Sequence, residues 1–128
     1  MEKKILLTAL IFGFISIVLG AFGAHALKKT LTVEQLSSFE VGVRYMMYHA
    51  LFLMFLSTTN LVLPEQKNII FYLAFLGTLF FSFSIFLLST SSLTGINFKF
   101  LGPITPVGGL LLIAAWAMTF FYIITKKG

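Results

Sequence analysis

The chain contains no cysteine, which excludes disulfides, thiolate metal sites, iron–sulfur clusters and cysteine nucleophiles, and leaves its redox compartment unread. Charge is scarce as well: 10% of its 128 residues are Asp, Glu, Lys or Arg, against about 25% in an ordinary soluble domain. Only four residues are acidic, and no two carboxylates share an apolar segment where they could divide acid and base work. Neither a nucleophile elbow nor a phosphate-binding glycine loop is present. These absences argue against an enzyme. What the chain has in quantity is apolar surface, 59% hydrophobic residues including sixteen phenylalanines, gathered into four runs long enough to cross a bilayer.

The expected fold is therefore all-α, one membrane domain over 1–128, built as a four-helix bundle with spans at about 5–24, 43–63, 69–89 and 106–125. The first run follows Glu2-Lys3-Lys4 and ends at Ala24-His25-Ala26, which imitates a signal-peptide cleavage site. Its apolar stretch exceeds the usual signal core of about 7–15 residues, so it reads as a retained span. Pro64 closes the second run, and Ser89-Thr90-Ser91-Ser92-Leu93-Thr94-Gly95 closes the third with turn-forming residues. Tyr122, Lys126 and Lys127 anchor the end of the fourth. Between the first two spans, Leu31, Val33, Leu36, Phe39 and Val43 recur at helical spacing among polar residues. That pattern predicts an interfacial amphipathic helix between spans 1 and 2 running into the second, or a plain helical extension of that span.

Nine Lys and Arg against four Asp and Glu give a net charge of +5. The cations stand at the ends of apolar runs, where they meet lipid head groups, so the basic balance speaks for a membrane and not for nucleic acid. Four crossings put both termini on one side. That side carries Lys3, Lys4, Lys67, Lys126 and Lys127; the other carries Lys28, Lys29, Arg44 and Lys99. The positive-inside rule leans by a single charge toward a multi-pass cell-membrane protein with cytoplasmic termini.

Lipid tails are as apolar as leucine, so spans associate by close packing and polar contact. Ala9, Gly13, Ser16, Gly20 and Gly23 line one face of span one with small side chains. The stripe serves packing within the chain's own bundle, or a seam between two copies. Phe80, Phe81, Phe83 and Phe86 read as lipid contact or core.

Alternating spans bring the end of span one, the start of span two, the end of span three and the start of span four to the same membrane side. His25, Lys28, Lys29, Glu40, Arg44, His49, Asn97, Lys99 and Thr105 gather there. Ionisable groups at membrane depth are costly, which makes Arg44 and His49 functional candidates. Glu40 precedes Arg44 by one turn, as Tyr45 precedes His49, so local pairing is a sufficient role for them. His49 lies about 7 Å deeper than Arg44 along the axis. His25 and His49 are the chain's two histidines. With no His-x-x-x-His or Glu-x-x-His spacing beside them, no metal or other cofactor is expected. Thr105 is placed to cap a helix whose first residue is Pro106. The amides of that helix start could hold an anionic head group beside Lys99 or Arg44, or simply begin a span. The candidate binding residues are thus His25, Arg44, Tyr45, His49, Lys99 and Thr105.

Three segments resemble the signatures of a known family: Gly20-Ala21-Phe22-Gly23-Ala24-His25-Ala26-Leu27; Phe39 to Leu51 with Gly42-Val43, Tyr45 and His49-Ala50-Leu51; and Ile104-Thr105-Pro106-Val107-Gly108-Gly109. The family is the one catalogued as domain of unknown function number 423, similar also to the eukaryotic transmembrane protein 256. The resemblance covers nearly the whole chain. It implies a four-span inner or plasma membrane protein and brings no chemistry with it. The recurrent positions it carries over are Gly20, Gly23, His25, Gly42, Tyr45, His49, Pro106, Gly108 and Gly109. Two departures stand out: Met46 where the family often has Gln, and Ser82-Phe83-Ser84 where it often has Ser-Gly-Ser.

The functional expectation is a non-enzymatic membrane protein, alone or as a homo-oligomer, whose polar side binds a lipid head group, a small anion or a membrane protein partner. Two others stand beside it: an oligomeric small-solute or proton transporter or channel with His49 as proton carrier, and an accessory or assembly subunit of a larger complex.

Overall fold

In a computed structural model, which describes residues 2–126, the chain is helical throughout its length apart from short turns. Four long helices run α1 (Glu2–Leu27), α2 (Val33–Thr58), α3 (Pro64–Ser89) and α4 (Ile104–Ile124). No strand is present among the described residues. Three stretches, Glu2–Leu27, Pro64–Ser89 and Lys99–Ile124, are long and apolar enough to cross a membrane. The helix α2 has 26 residues but carries Glu34, Glu40, Arg44 and His49 and is less apolar than the others. Lys127, expected as an anchor, lies outside the described residues.

Local chemistry sets the boundaries. Thr32 and Gln35 form a reciprocal capping box, with the Gln35 amide donating to Thr32 Oγ1 at 3.1 Å and the Thr32 amide to Gln35 Oε1 at 3.0 Å. That double satisfaction of orphan amides starts α2 at Val33. The amphipathic stretch is accordingly not a separate interfacial helix. It forms the first turns of α2, and its Phe39 is buried against Phe86, with ring centroids 5.2 Å apart. The second run also ends sooner than expected. Helix α2 stops at Thr58, where Thr59 turns extended, because Pro64 opens the next helix instead of closing this one. Helix α3 then continues to Ser89, a helical turn follows at Ser91–Thr94, and Gly95 ends it with a φ of 71°, which only glycine adopts freely.

Helix α4 corrects the expected cap. It begins at Ile104, so Pro106 stands third in the helix, still within the first turn where its missing N–H costs nothing. Thr105 caps nothing; its hydroxyl meets Ser84 Oγ of α3 at 2.5 Å. In an apolar setting a hydroxyl facing a neighbouring helix gains more from that partner than from its own helix end.

Helix α1 packs along α2, α2 against α3, and α3 against α4, whose extensive contacts are with α3 alone. The small stripe of α1 faces α2: a Cβ on Gly13 would meet Ala50, on Gly20 Val43, and on Gly23 Phe39, each at 3.4–3.7 Å. Its role within the chain's own bundle is therefore filled. Phe12 of α1 also stacks on Phe75 of α3 at 6.0 Å. The first and third helices are joined at their starts by the Lys4 ammonium on the Tyr72 hydroxyl and by a Lys67–Glu2 ion pair of 3.0 Å. Lys67, expected as an exposed anchor in a turn, is only 2% exposed, and its ammonium also approaches the Ser57 carbonyl at 3.5 Å.

Both α1 and α3 contain a π-helical turn, at Leu19–Gly23 and Leu79–Phe83. The second is where α3 is gripped from two sides. Ser82 donates to the Gly42 carbonyl of α2 at 2.8 Å, and a Cβ on Gly42 would come within 2.7 Å of the Phe86 ring. On the other side Gly108 of α4 lies against backbone: a Cβ there would collide with the Phe81 amide nitrogen and stand 2.8 Å from the Gly77 carbonyl oxygen. Phe83, in place of the family's glycine, turns edge-on to Phe86 at 5.6 Å and does not block this contact.

The two glycines of α4 separate by this geometry. Gly108→Ala forces two backbones apart and should cost about 1–3 kcal/mol of overpacking. Gly109→Ala, whose added methyl meets only the Phe81 ring at 3.7 Å, should stay within about 0.5 kcal/mol of the parent or gain slightly in helix propensity. Equilibrium unfolding of both variants in detergent measures the difference; equal losses would contradict the backbone contact.

Candidate functional site

The most unusual polar contact in the protein joins α2 to α4, two helices that otherwise touch little. The Trp116 indole nitrogen donates to His49 Nε2 at 3.0 Å, and His49 Nδ1 meets the Tyr45 carbonyl oxygen at 2.7 Å. An indole N–H is a donor only, so Nε2 must accept, and the ring proton lies on Nδ1, directed at Tyr45 O. Both ring nitrogens are engaged. The imidazole is 3% exposed, whereas Trp116 is 52% exposed and forms a lid over it. The two rings meet edge-on at 6.0 Å, and Phe52 packs on Trp116 at 4.6 Å. In hydrocarbon an unpaired indole N–H or imidazole nitrogen would cost several kcal/mol, on the order of any buried polar group without water; here each satisfies the other.

Two hollows lie on either side of this bridge and open laterally between α2 and α4. The larger, about 750 Å³, is bounded by Tyr48, Phe52 and Phe55 of α2 and by Trp116, Phe120 and Ile123 of α4. The smaller, about 450 Å³, is bounded by Tyr45, His49, Phe81, Gly109 and Trp116. Their walls are aromatic and aliphatic, with a few polar groups at fixed points, the composition of a ligand site in the usual range of about 300–1,000 Å³.

The expected site residues are distributed differently. His49 and Tyr45 belong to this bridge, and Thr105 pairs with Ser84. His25, Arg44 and Lys99 are exposed, and no side-chain hydrogen bond joins them to one another or to His49 among the described residues. The reason is azimuthal: five residues separate Arg44 from His49, a turn of about 140° around the helix, so the guanidinium leaves the face that the imidazole enters. Nor does Arg44 pair with Glu40, since the ion pair found among the described residues is Lys67–Glu2. Among the described residues no three His, Asp or Glu come together, and His49 has no free nitrogen to offer a metal. Of the glycines, Gly13, Gly20, Gly23, Gly42 and Gly108 stand at helix contacts, and Gly109 lines the smaller hollow.

Sequence reasoning missed Trp116 as a site residue. Its signal was present: a lone tryptophan deep inside an apolar helix needs an acceptor, and of the two histidines His49 stands well inside α2 whereas His25 stands near the end of α1. The buried hydroxyl of Thr78 was missed as well, and its Oγ1 finds no partner among the described residues.

The bridge is measurable. In a double-mutant cycle with His49→Phe and Trp116→Phe, the coupling should be about 0.5–1.5 kcal/mol, the range for hydrogen bonds between membrane helices. Additive losses in detergent unfolding would mean that the contact contributes nothing.

Comparison with known proteins agrees with this architecture. The model of the family described as "Protein of unknown function (DUF423)" matches residues 19–109. A UPF0382 membrane protein of Staphylococcus haemolyticus is 40% identical over 103 residues, covering 80% of each chain. The UPF0382 inner membrane protein YgdD of Escherichia coli K12 is 36% identical over 121 residues, covering 91% of this chain and 86% of that one. No solved structure matches the chain. With a family model over most of its length and these relatives matched over 80–91% of it, the chain belongs to the DUF423, or UPF0382, family as a multi-pass protein of the cell membrane.

Proposed function

We propose that this is a non-enzymatic membrane protein that holds the hydrocarbon chain of a lipid in the lateral groove between α2 and α4. In this reading α2 is a fourth crossing, antiparallel to α1 and α3, and both termini face the cytoplasm. The observation that carries the proposal is the His49–Trp116 bridge: it spans two helices with little other contact and leaves a hollow on each side. A groove roofed by lipid and walled by aromatic rings favours a flexible apolar chain. The one imidazole in it is occupied at both nitrogens, which leaves no base for catalysis. The same occupancy weighs against proton carriage, because a second ring proton would set two donors face to face.

The chain has a single tryptophan, so its fluorescence reports the groove directly. In detergent, phospholipid with brominated acyl chains should quench Trp116 saturably, at a low lipid-to-detergent ratio. The reference is a Trp116→Phe, Phe14→Trp variant, whose indole stands on the exposed face of α1 and should be quenched in simple proportion to bromolipid. Proportional quenching of both proteins would reject the groove as a lipid site.

A further inference from the structure

The outward faces of the helices are not alike. Exposed positions on α1, such as Phe14 and Ile17, and on α4, such as Ile113 and Phe120, are apolar and suit lipid. The outward face of α2 carries Val41, Arg44, Tyr48, Leu51 and Phe55 in alternating steps of three and four residues, with Glu40 beside Arg44. Of these, Arg44, Tyr48, Leu51 and Phe55 are exposed, and Val41 and Glu40 are partly so. A mean step of about 3.5 residues is the repeat that keeps one helix in contact with another along its length.

Arg44 is the anomaly on this face. Val43 packs on Gly20 of α1, and the Tyr45 ring lies 5.0 Å from that of Phe81 of α3. The residue between them is therefore level with apolar stretches, about 10–12 Å in from the helix ends at Leu27 and Ser89. Snorkelling to water serves cations close to a helix end. A guanidinium keeps its charge whatever its surroundings, so at this depth it calls for a counter-ion. Among the described residues Arg44 has none, since the ion pair found there is Lys67–Glu2. Helical side chains lean toward the helix start, which brings the guanidinium toward the level of Glu40.

Resting on the reading of α2 as a fourth crossing, we infer that this face is the seam of a homodimer, α2 against α2, in which each Arg44 pairs with Glu40 of the second copy. Copies inserted in the same orientation meet about a twofold axis along the membrane normal, which sets identical faces together and forms each unlike pair twice. An apolar partner would leave both charges unmet, and an acidic one would meet Arg44 but repel Glu40. A second copy offers both signs at the matching level. Tyr48, Leu51 and Phe55 continue the seam beyond the charges and also bound the larger hollow, so the second copy stands beside the groove.

The absence of cysteine makes the seam directly testable. Single cysteines are introduced into the full-length protein and oxidised in native membranes. Val41→Cys, Tyr48→Cys, Leu51→Cys and Phe55→Cys should give disulfide-linked dimers, because a disulfide needs its two Cα atoms within about 7 Å. Phe14→Cys and Ile113→Cys, on the exposed faces of α1 and α4, should not. Added to Leu51→Cys, either Arg44→Glu or Glu40→Arg should reduce the linked fraction to that of Phe14→Cys. Co-expression of these two charge variants should restore it as a mixed dimer, since one copy then carries only positive charge at the pair and the other only negative. Recovery also shows that neither substitution unfolds the chain. Linkage at the two control positions as strong as at the seam, undiminished linkage in either charge variant, or no recovery on co-expression would each overturn this inference. Val33→Cys and Leu61→Cys, at the start of α2 and just beyond its end, should react with a membrane-impermeant maleimide from opposite sides. Reaction from one side only would overturn the four-crossing reading and the dimer with it, whereas opposite-side reaction without linkage at the seam would overturn the dimer alone.

Discussion

A hydrogen bond between an indole and an imidazole, with both imidazole nitrogens engaged, ties α4 to α2, two helices that otherwise meet chiefly through α3. Helix α4 lies mainly on α3 and α1 mainly on α2. Trp116 and His49 reach across the remaining gap, and neither can let go cheaply, because each is the other's substitute for solvent. The bridge fixes the imidazole tautomer and props a bulky ring over a recess, and the hollows on either side follow from it. The recess between α2 and α4 is thus tied to a polar contact between them.

Close backbone approach is the complementary constraint. At Gly108 and Gly77 the backbones of α3 and α4 are near enough to exclude a side chain, and Gly42 leaves room for Phe86. The π-turn at Leu79–Phe83 lies between these contacts. Such turns re-aim a helix locally, and here Ser82 faces α2 while Phe81 faces Gly108 and Gly109 of α4. With hydrophobic expulsion unable to discriminate between helix and lipid, small residues and buried hydroxyls supply the specificity.

Much of the fold was legible in the residues. Hydropathy gave the apolar segments, Pro64 and the Ser-Thr-Gly stretch after Ser89 gave breaks, and the stripe from Ala9 to Gly23 gave the packing face of α1. Boundaries shifted where a capping group acted from outside the apolar run: Thr32 and Gln35 extended α2 toward its start, and Pro64 opened a helix that its neighbours had suggested it would only close. The site was less legible. Grouping by membrane side placed His25, Arg44, His49 and Lys99 together, but sharing an end of a bundle does not mean sharing a face. Arg44 and His49 are separated by more than a third of a helical turn in azimuth, and only one of them enters the interior. Thr105 was correctly singled out as a polar group at a helix start, yet its partner came from α3 and not from its own amides.

By itself the sequence determined that this chain is helical, that its helices suit a bilayer, and which residues are small enough or polar enough to join them. Those properties are one-dimensional, set by composition and spacing along each helix. Which faces meet was decided only by the tertiary structure, since rotation about a helix axis and lateral order in a bundle depend on all partners at once. That is why a mid-helix tryptophan became the partner of a mid-helix histidine. Arg44 and Lys99, noted beside that histidine, were left facing outward, where water and head groups solvate charge better than the interior can.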